Sequence, residues 1–448
     1  MATGGVQRLE AMLEALRGKR IWICSLGCRS NQYEGEALAN AFLDVGAILS
    51  ETPSCDAAVL VSCTVTAEAD RKCRQAIRRA RRTSPGAVIA ACGCWAQKLD
   101  AGEASLLGIH MIVGNRKKGD LPALLAERLE SGGKDLLIAR EDVLSSRKWD
   151  PLVLSRPVLH TRAFIKIQDG CNHFCSYCAI PWVRGFPVSR PLSEVEKEVR
   201  RVVESGCSEV VLTGIHLGLY GRREGMSLAG LVRLLASVRG LKRIRFGSLE
   251  PFGLDHELLD VLAETPLFCP HLHLPLQSGS PSVLSLMKRG YGPGEFIRLV
   301  ERVRSRLGED VHVSTDILVG FPGEDEDAFS DTLSVMKECR FGKVHVFPFS
   351  PREGTEAASF PGRVSFGELA VRKNRALAQA EDQLRAYCAR WVGRDQPVLV
   401  EQVRGSSFQG LTPSFLRVTG KGGAVRGEEK MVRITRAGDD CLRGRPLP

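Results

Sequence analysis

Between residues 20 and about 133, apolar runs of strand length alternate with amphipathic stretches. "RIWICSLGC", "DAAVLVSC", "AVIAACGC" and "IHMIVGN" predict strands, while "QYEGEALANAFLDVG", "AEADRKCRQAIRRARR" and "LPALLAERLESGG" predict helices. Near-continuous apolar strands joined by helices describe a parallel sheet covered on both faces. Residues 19–133 are therefore read as a doubly wound α/β domain. Periodicity is then lost through "SSRKWDPLVLSRPV", and 134–156 reads as a linker. Over 157–392 the rhythm returns, with strands predicted at "RAFIKIQ", "EVVLTG", "RIRFGS", "HLHLP", "VHVSTDI" and "KVHVFPFS", each followed by a helix. Six such units make a partial, TIM-like (βα)6 barrel, because closure takes eight. After a last helix at roughly 365–392, "QPVLVEQV", "GLTPSFLRVTG" and "MVRITRAG" predict a small β-barrel over 393–441. The fold class is α/β multidomain.

Composition changes this picture in two places. The net charge is +10 over 448 residues, a basic excess that suits a polyanionic partner. The fifteen cysteines are odd in number and tightly grouped, which points to metal or redox chemistry in a reducing compartment and away from a disulfide framework. Residues 1–18, with Glu10 and Glu14 among alternating polar and apolar positions, predict a short amphipathic helix, not a targeting signal. No apolar run reaches membrane-spanning length. A cytoplasmic protein without membrane contact is expected.

The stretch "DGCNHFCSYCAIPWVRG" carries Cys171, Cys175 and Cys178 at C-x₃-C-x₂-C spacing, directly after the first barrel strand. Zinc closes its structural sites with four ligands. An iron–sulfur cube also has four irons to ligate, so three cysteines leave one iron open to a small molecule. Chemistry in such barrels sits at the carboxyl ends of the strands. Other strand exits carry small or polar residues too: Thr213 and Gly214, Ser248 and Glu250, Gln277 and Ser278, Thr315, Asp316, Gly320 and Gly323. A second set, Cys28, Cys63 and either Cys94 or Cys92, ends three successive strands of the first domain, along the edge where doubly wound sheets gather ligands. Unrelated buried cysteines are the alternative, since Cys24, Cys55 and Cys73 show that the chain carries others.

The triplet, with Tyr177 before its last cysteine, resembles the radical S-adenosylmethionine signature. "SLGCRSNQYEGEAL", "CTVTAEAD", "GCWAQ", "HLHLPLQSGSPSVLSLMKRGY", "STDILVGFPGE" and "HVFPFSPREGT" resemble the methylthiotransferases of that superfamily over nearly the whole chain. The resemblance implies two [4Fe-4S] clusters facing one cavity, one on Cys171, Cys175 and Cys178 with its open iron chelating S-adenosyl-L-methionine. The other would sit on Cys28, Cys63 and Cys94, since the pattern puts its last ligand just before an aromatic, here Trp95. Tyr177, Thr213, Gly214, Ser248, Gln277 and Asp316 are the expected cofactor contacts. Reductive cleavage of the cofactor would give an adenosyl radical that opens an unactivated C–H bond to a methylthio group, a step beyond any side-chain base. The C-terminal barrel is similar to the family's TRAM module, an RNA-binding domain. Two departures stand out: Ser62 where the family usually has Asn, and Val188 where many members have Arg.

Family members act on a tRNA adenosine beside the anticodon or on a ribosomal-protein aspartate. "GCRSNQ" and "CTVTAEAD" resemble the branch that modifies N6-threonylcarbamoyladenosine at position 37 of tRNA, which implies the anticodon stem-loop, an electron donor and a sulfur source as partners. Charge supports an RNA partner independently. Arg74, Arg78 and Arg81 lie on one predicted basic helix, and residues 393–448, with Arg417 and Lys430, hold ten Lys and Arg against six Asp and Glu. A solvated helix face is the bland alternative. Phe408 and Phe415 either stack bases or fill the barrel core. The competing functions are the same chemistry on isopentenyladenosine or on a ribosomal protein, a non-catalytic iron–sulfur RNA-binding protein, and an electron carrier. Two triplets each one ligand short argue against the last two.

Overall fold

The computed structural model describes residues 12–133 and 135–447. Most of the helix expected over 1–18, Glu10 included, lies outside the described residues, while Glu14–Leu16 form a single 3₁₀ turn. The chain divides into two compact units. One comprises residues up to Leu159 with Phe164–His173 and Cys178–Ser205; the other comprises His160–Ala163, Phe174–Tyr177 and the chain from Gly206 onward.

In the first unit, β1 (Arg20–Ser25), α1 (Arg29–Asp44), β2 (Ile48–Leu49), β3 (Ala57–Ser62), α2 (Ala67–Thr83), β4 (Val88–Gly93), α3 (Cys94–Lys98), α4 (Ala101–Leu107), β5 (Met111–Val113), α5 (Leu121–Ser131) and β6 (Leu137–Ala139) follow in turn. The strands form one sheet in the order β2-β1-β3-β4-β5-β6, parallel throughout. β3 is buried along its whole length, as a central strand covered on both faces must be. α2 starts where the Thr66 hydroxyl accepts from the Ala69 amide. Glu68 and Asp70 fill its first turn and Arg81 and Arg82 its last, matching the helix dipole. The edge strands β2 and β6 were not expected: two or three residues show no alternation. β6 also corrects the reading of 134–156 as linker throughout, as do the buried Val143, Leu152 and Leu154. β7 (Ala163–Lys166), β8 (Gln168–Asp169), α6 (Ile180–Arg184), β9 (Val188–Ser189) and α7 (Leu192–Glu204) come next, with Asp169 paired to Val188 across β8 and β9.

In the second unit the βα succession runs β10 (Glu209–Thr213), α8 (Leu228–Ala236), β11 (Arg243–Phe246), α9 (His256–Glu264), β12 (His271–His273), α10 (Pro281–Leu286), α11 (Pro293–Leu307), β13 (His312–Val319), α12 (Glu326–Cys339), β14 (Lys343–Pro348) and α13 (Phe366–Ala389). β10 and β11 pair in parallel, as do β12, β13 and β14. With β7, these are the six strands of a partial TIM-like barrel.

β15 (Asp395–Arg404), β16 (Ser407–Leu411), β17 (Arg417–Lys421), β18 (Glu429–Ala437) and β19 (Leu442–Pro446) close into a five-stranded barrel of TRAM type. β19 lies beyond the end at 441 read from the sequence, because "LRGRP" carries only one core residue, Leu442. The barrel core packs Val398, Val400, Phe408 and Val432 against Tyr387 and Trp391 at the end of α13. Backbone carbonyls fasten the barrel to β11: Arg243 Nη2 donates to Pro397 O at 2.9 Å and Arg245 Nη1 to Pro413 O at 2.8 Å. Phe415 stacks on His271 and lies 4.8 Å from the Arg245 guanidinium, so both phenylalanines serve packing.

Candidate iron–sulfur and nucleotide sites

Cys28 precedes α1, Cys63 follows β3 and Cys94 opens α3. Two of these positions require the glycine before a cysteine. Gly27 (φ +104°) lets Cys63 come so near that a Cβ would lie 2.6 Å from its sulfur, and Gly93 (φ +94°) leaves a Cβ only 2.6 Å from Ser62 O. Cys63 senses the other two thiols, and Cys94 senses Cys28. Burial pushes Cys63 up to about 12, and Cys94 and Cys28 push it the same way. Cys94 is raised by burial and opposed by the Arg184 guanidinium, whose Nε donates to its sulfur at 3.0 Å. Cys92 also goes up to about 12, through burial, but its charged neighbours are Lys118 and Glu34. The charged neighbours of Cys63 thus include Cys94 and Cys28, whereas those of Cys92 are Lys118, Glu34, Asp150 and Arg184.

Asn31 and Ser62 tie these loops together. Asn31 Nδ2 donates to Leu26 O at 2.6 Å and to Ser62 O at 2.9 Å, while its Oδ1 faces the Cys28 thiol. Ser62 donates to Cys92 O and accepts from the Ala96 amide, bracing the turn that carries Cys94. Its departure from the family's Asn thus has a structural use. Val188, the other departure, is buried on β9.

Of the C-x₃-C-x₂-C triplet, Cys171 and Cys178 belong to the first unit and Cys175 to the second. The Cys171 sulfur accepts from the His173 amide at 3.4 Å. The Cys175 sulfur accepts from Arg289 Nη1 at 3.5 Å; burial raises this thiol and Arg289 lowers it. Arg289 is nearly buried, ion-pairs with Glu250 and donates to the Tyr291 hydroxyl at 3.1 Å. Tyr177 packs edge-on against Phe321, 6.3 Å between centroids. Thr213 ends β10, with Gly214 next. Ser248 bridges to His273, and His273 Nε2 lies 3.2 Å from Asp316 Oδ2. The Gln277 amide donates to Asp316 O at 2.8 Å. Gln277 holds φ +71°, a conformation costly for a non-glycine residue that recurs at ligand clamps. Thiolates are the soft donors that iron–sulfur clusters take, and Cys94, Cys171 and Cys175 each have an N–H aimed at the sulfur, though among the described residues no three such side chains stand together as a preformed metal site.

Four of the five basic residues singled out for RNA are accessible but engaged. Arg74 donates to Glu103 at 2.7 Å and lies 5.8 Å from the Trp95 ring, and Arg81 donates to Leu107 O at 3.2 Å. Arg417 pairs with Asp440 at 3.2 Å and Lys430 with Glu428 at 3.4 Å; Arg78 is exposed. Exposed pairs of this kind are worth about 0–1 kcal/mol, too little to hold an arginine from a phosphate. Sequence reasoning gave no role to Arg184, Glu34, Asn31 or Arg289. The local signal in "PWVRG" and "MKRGY" is one arginine each, and their partners lie far away in sequence.

Residues 165–336 match the model of the radical SAM superfamily, and residues 20–114 match that of uncharacterized protein family UPF0004. A threonylcarbamoyladenosine tRNA methylthiotransferase, MtaB, from Bacillus subtilis is 34% identical over 92% of this chain and 93% of its own length. A tRNA-2-methylthio-N(6)-dimethylallyladenosine synthase from Syntrophotalea carbinolica is also 34% identical, over 90% of this chain and 92% of its own. Among solved structures, the radical S-adenosylmethionine methyltransferase TsrM from Kitasatospora setae, with cobalamin and a [4Fe-4S] cluster bound, superposes with a TM-score of 0.55 at 16% identity. That match covers 76% of this chain and 77% of the other, a likeness of fold. The chain belongs to the methylthiotransferase family of radical S-adenosylmethionine enzymes.

Proposed function

We propose that the chain converts N6-threonylcarbamoyladenosine at position 37 of tRNA, beside the anticodon, to its 2-methylthio derivative, with two [4Fe-4S] clusters and S-adenosylmethionine. The observation that carries this reading is the placement of Cys28, Cys63 and Cys94 at the carboxyl ends of three neighbouring parallel strands, β1, β3 and β4, in addition to the Cys171, Cys175 and Cys178 triplet. A single-cluster enzyme has no use for the second set. When bound, these groups supply the adenosyl radical and the methylated sulfur that a C–H bond demands.

The chain's own residues hold and orient. Arg289 fixes the Cys175 sulfur and the Glu250 carboxylate. Tyr177, Thr213, Gly214, Ser248, Gln277 and Asp316 are assigned to S-adenosylmethionine. Arg74, Arg78, Arg81, Arg417 and Lys430 are assigned to the RNA backbone, where neutralised phosphates give affinity independent of sequence. An electron donor and a sulfur source complete the partners, and the cytoplasm is the expected compartment. Among the described residues no helix is long and apolar enough to cross a membrane. The relative named for dimethylallyladenosine, equal in identity, supports isopentenyladenosine as the second reading.

The test is expression in a bacterial strain lacking its own enzyme of this branch, with nucleosides of total tRNA analysed by mass spectrometry. The 2-methylthio-threonylcarbamoyl product is expected with the native chain and absent with Cys175→Ala or Cys63→Ala. The isopentenyl product would move the substrate to the second reading. Neither product, with S-adenosylmethionine still cleaved by the purified protein, would move it to a ribosomal protein.

A further inference from the structure

Seven ionisable side chains, all in the first unit, are buried together beside Cys94. Glu34, Asp169 and Asp150 are carboxylates; Arg184, Lys166, Lys118 and Arg116 are cations. Lys166 lies 2.7 Å from Glu34 and 2.6 Å from Asp169, Lys118 3.3 Å from Glu34 and 3.7 Å from Asp150, and Arg116 3.8 Å from Asp169. Arg184 pairs with Glu34 and lies 3.5 Å from Asp169. Four cations against three carboxylates leave one positive charge over, and an uncompensated buried charge is costly.

The excess has a direction. Arg184 spends its Nη1 and Nη2 on Glu34 and Asn31, the latter at 2.6 Å, and turns Nε to the Cys94 sulfur at 3.0 Å. A cysteine that ligates a metal is a thiolate, so ligation at Cys94 supplies the missing negative charge. The backbone of the same segment faces the other triplet: the Gly185 carbonyl accepts from the Cys171 amide at 2.9 Å. One peptide thus connects a ligand of each set.

We infer that Arg184 is a positioning residue for the iron–sulfur site of Cys28, Cys63 and Cys94. Its guanidinium fixes the Cys94 sulfur and, by placing a charged hydrogen bond on it, raises the reduction potential of the group held there. Hydrogen bonds to sulfur and local charge set such potentials, and a cation favours the more negative, reduced state. Arginine suits the task because its planar fork serves three partners at once without losing its charge. The inference rests on the proposed assignment of those three cysteines.

The experiment uses the full-length chain carrying Cys171→Ala, Cys175→Ala and Cys178→Ala, so that only the N-terminal site remains to be reconstituted with iron and sulfide. Iron content and an EPR-monitored redox titration are read for native Arg184, R184K and R184Q. R184Q is expected to raise the oxidised-to-reduced ratio at fixed potential at least tenfold, about 59 mV for a one-electron couple, with R184K recovering part of the shift. In a chain lacking Cys28, Cys63 and Cys94 instead, R184Q should leave the other group's potential unchanged, which shows that the protein is folded. Loss of iron from the N-terminal site alone in R184Q, restored in R184K, supports the same role. A potential in R184Q within twofold of native overturns the inference and leaves the proposed function standing. Failure of the native-Arg184 form to bind iron overturns both. Should R184Q load neither site, R184K decides: a lowered potential supports the role and an unchanged one refutes it.

Discussion

Glu209 opens β10 beneath three guanidinium groups, with Arg245 Nε at 3.1 Å, Arg243 Nη1 at 3.3 Å and Arg162 Nη1 at 3.8 Å. Burial alone would raise its carboxyl, yet the three arginines outweigh burial and hold it below the usual carboxylate range. Glu209→Gln keeps the shape and removes the charge. Arg243 retains Glu429 and Arg162 retains Glu401. Arg245, wholly buried, keeps the carbonyls of Thr412 and Pro413 and the Phe415 ring. Removing one partner of a buried pair costs about 3–5 kcal/mol. Since two of the three cations keep a carboxylate, the lower end applies, and about 3 kcal/mol multiplies the population with a loosened barrel by roughly a hundred. Limited proteolysis of the full-length protein reads this directly, because cleavage tracks the open population when reclosing is fast. Release of the C-terminal fragment should accelerate about a hundredfold in E209Q. The double variant E209Q/R245M, which removes both charges, should cost less than E209Q and R245M measured separately and added. A rate in E209Q within a few-fold of native, or a double variant costing as much as the two single ones added, would refute the reasoning.

Acid should find the first unit's buried network in the same way. Burial works to raise Glu34, but Arg184, Lys118 and Lys166 outweigh it and lower the carboxyl from 4.5 to about 2. Its contribution, on the order of 3 kcal/mol, is therefore complete above about pH 4.5 and lost as the pH falls toward 2. Glu34→Gln should flatten the acid limb of pH-dependent unfolding followed by tryptophan fluorescence; an acid limb unchanged from native counts against it. Arg289→Met, which takes a donor from Cys175 and the counter-charge from Glu250, should slow S-adenosylmethionine cleavage by at least about tenfold while iron content holds. Cleavage at the native rate would remove Arg289 from the site.

The long strands were legible because β3 and β4 are almost wholly apolar runs of six residues, long enough to declare a buried parallel sheet. Strands of two or three residues such as β2 and β6 carry no period, so the sheet's edges were not. The cysteines were legible as a candidate set because strand ends in a parallel sheet share one side, though choosing Cys94 over Cys92 took the family pattern. Their supporting shell was not. Arg184 meets Glu34 150 positions away, and Arg289 meets Cys175 114 positions away. A charged residue in a short loop reads as solvated until its partner is known. The same blindness acted in reverse at Arg74, which looked unpaired in sequence and pairs with Glu103 29 positions on.

The way the C-terminal barrel is fastened has an evolutionary consequence. Arg243 and Arg245 grip it through the carbonyls of Pro397, Leu411, Thr412 and Pro413, and His312 through that of Ser414. Every residue type presents that carbonyl, so much of the docking asks for a backbone path, with Glu401, Glu429 and Phe415 the barrel side chains that also meet the core. The barrel's other outward side chains are consequently free to drift from one homologue to another without loosening the joint, and a barrel transplanted from a relative with the same loop path and these three residues should seat on this core with its own surface chemistry intact.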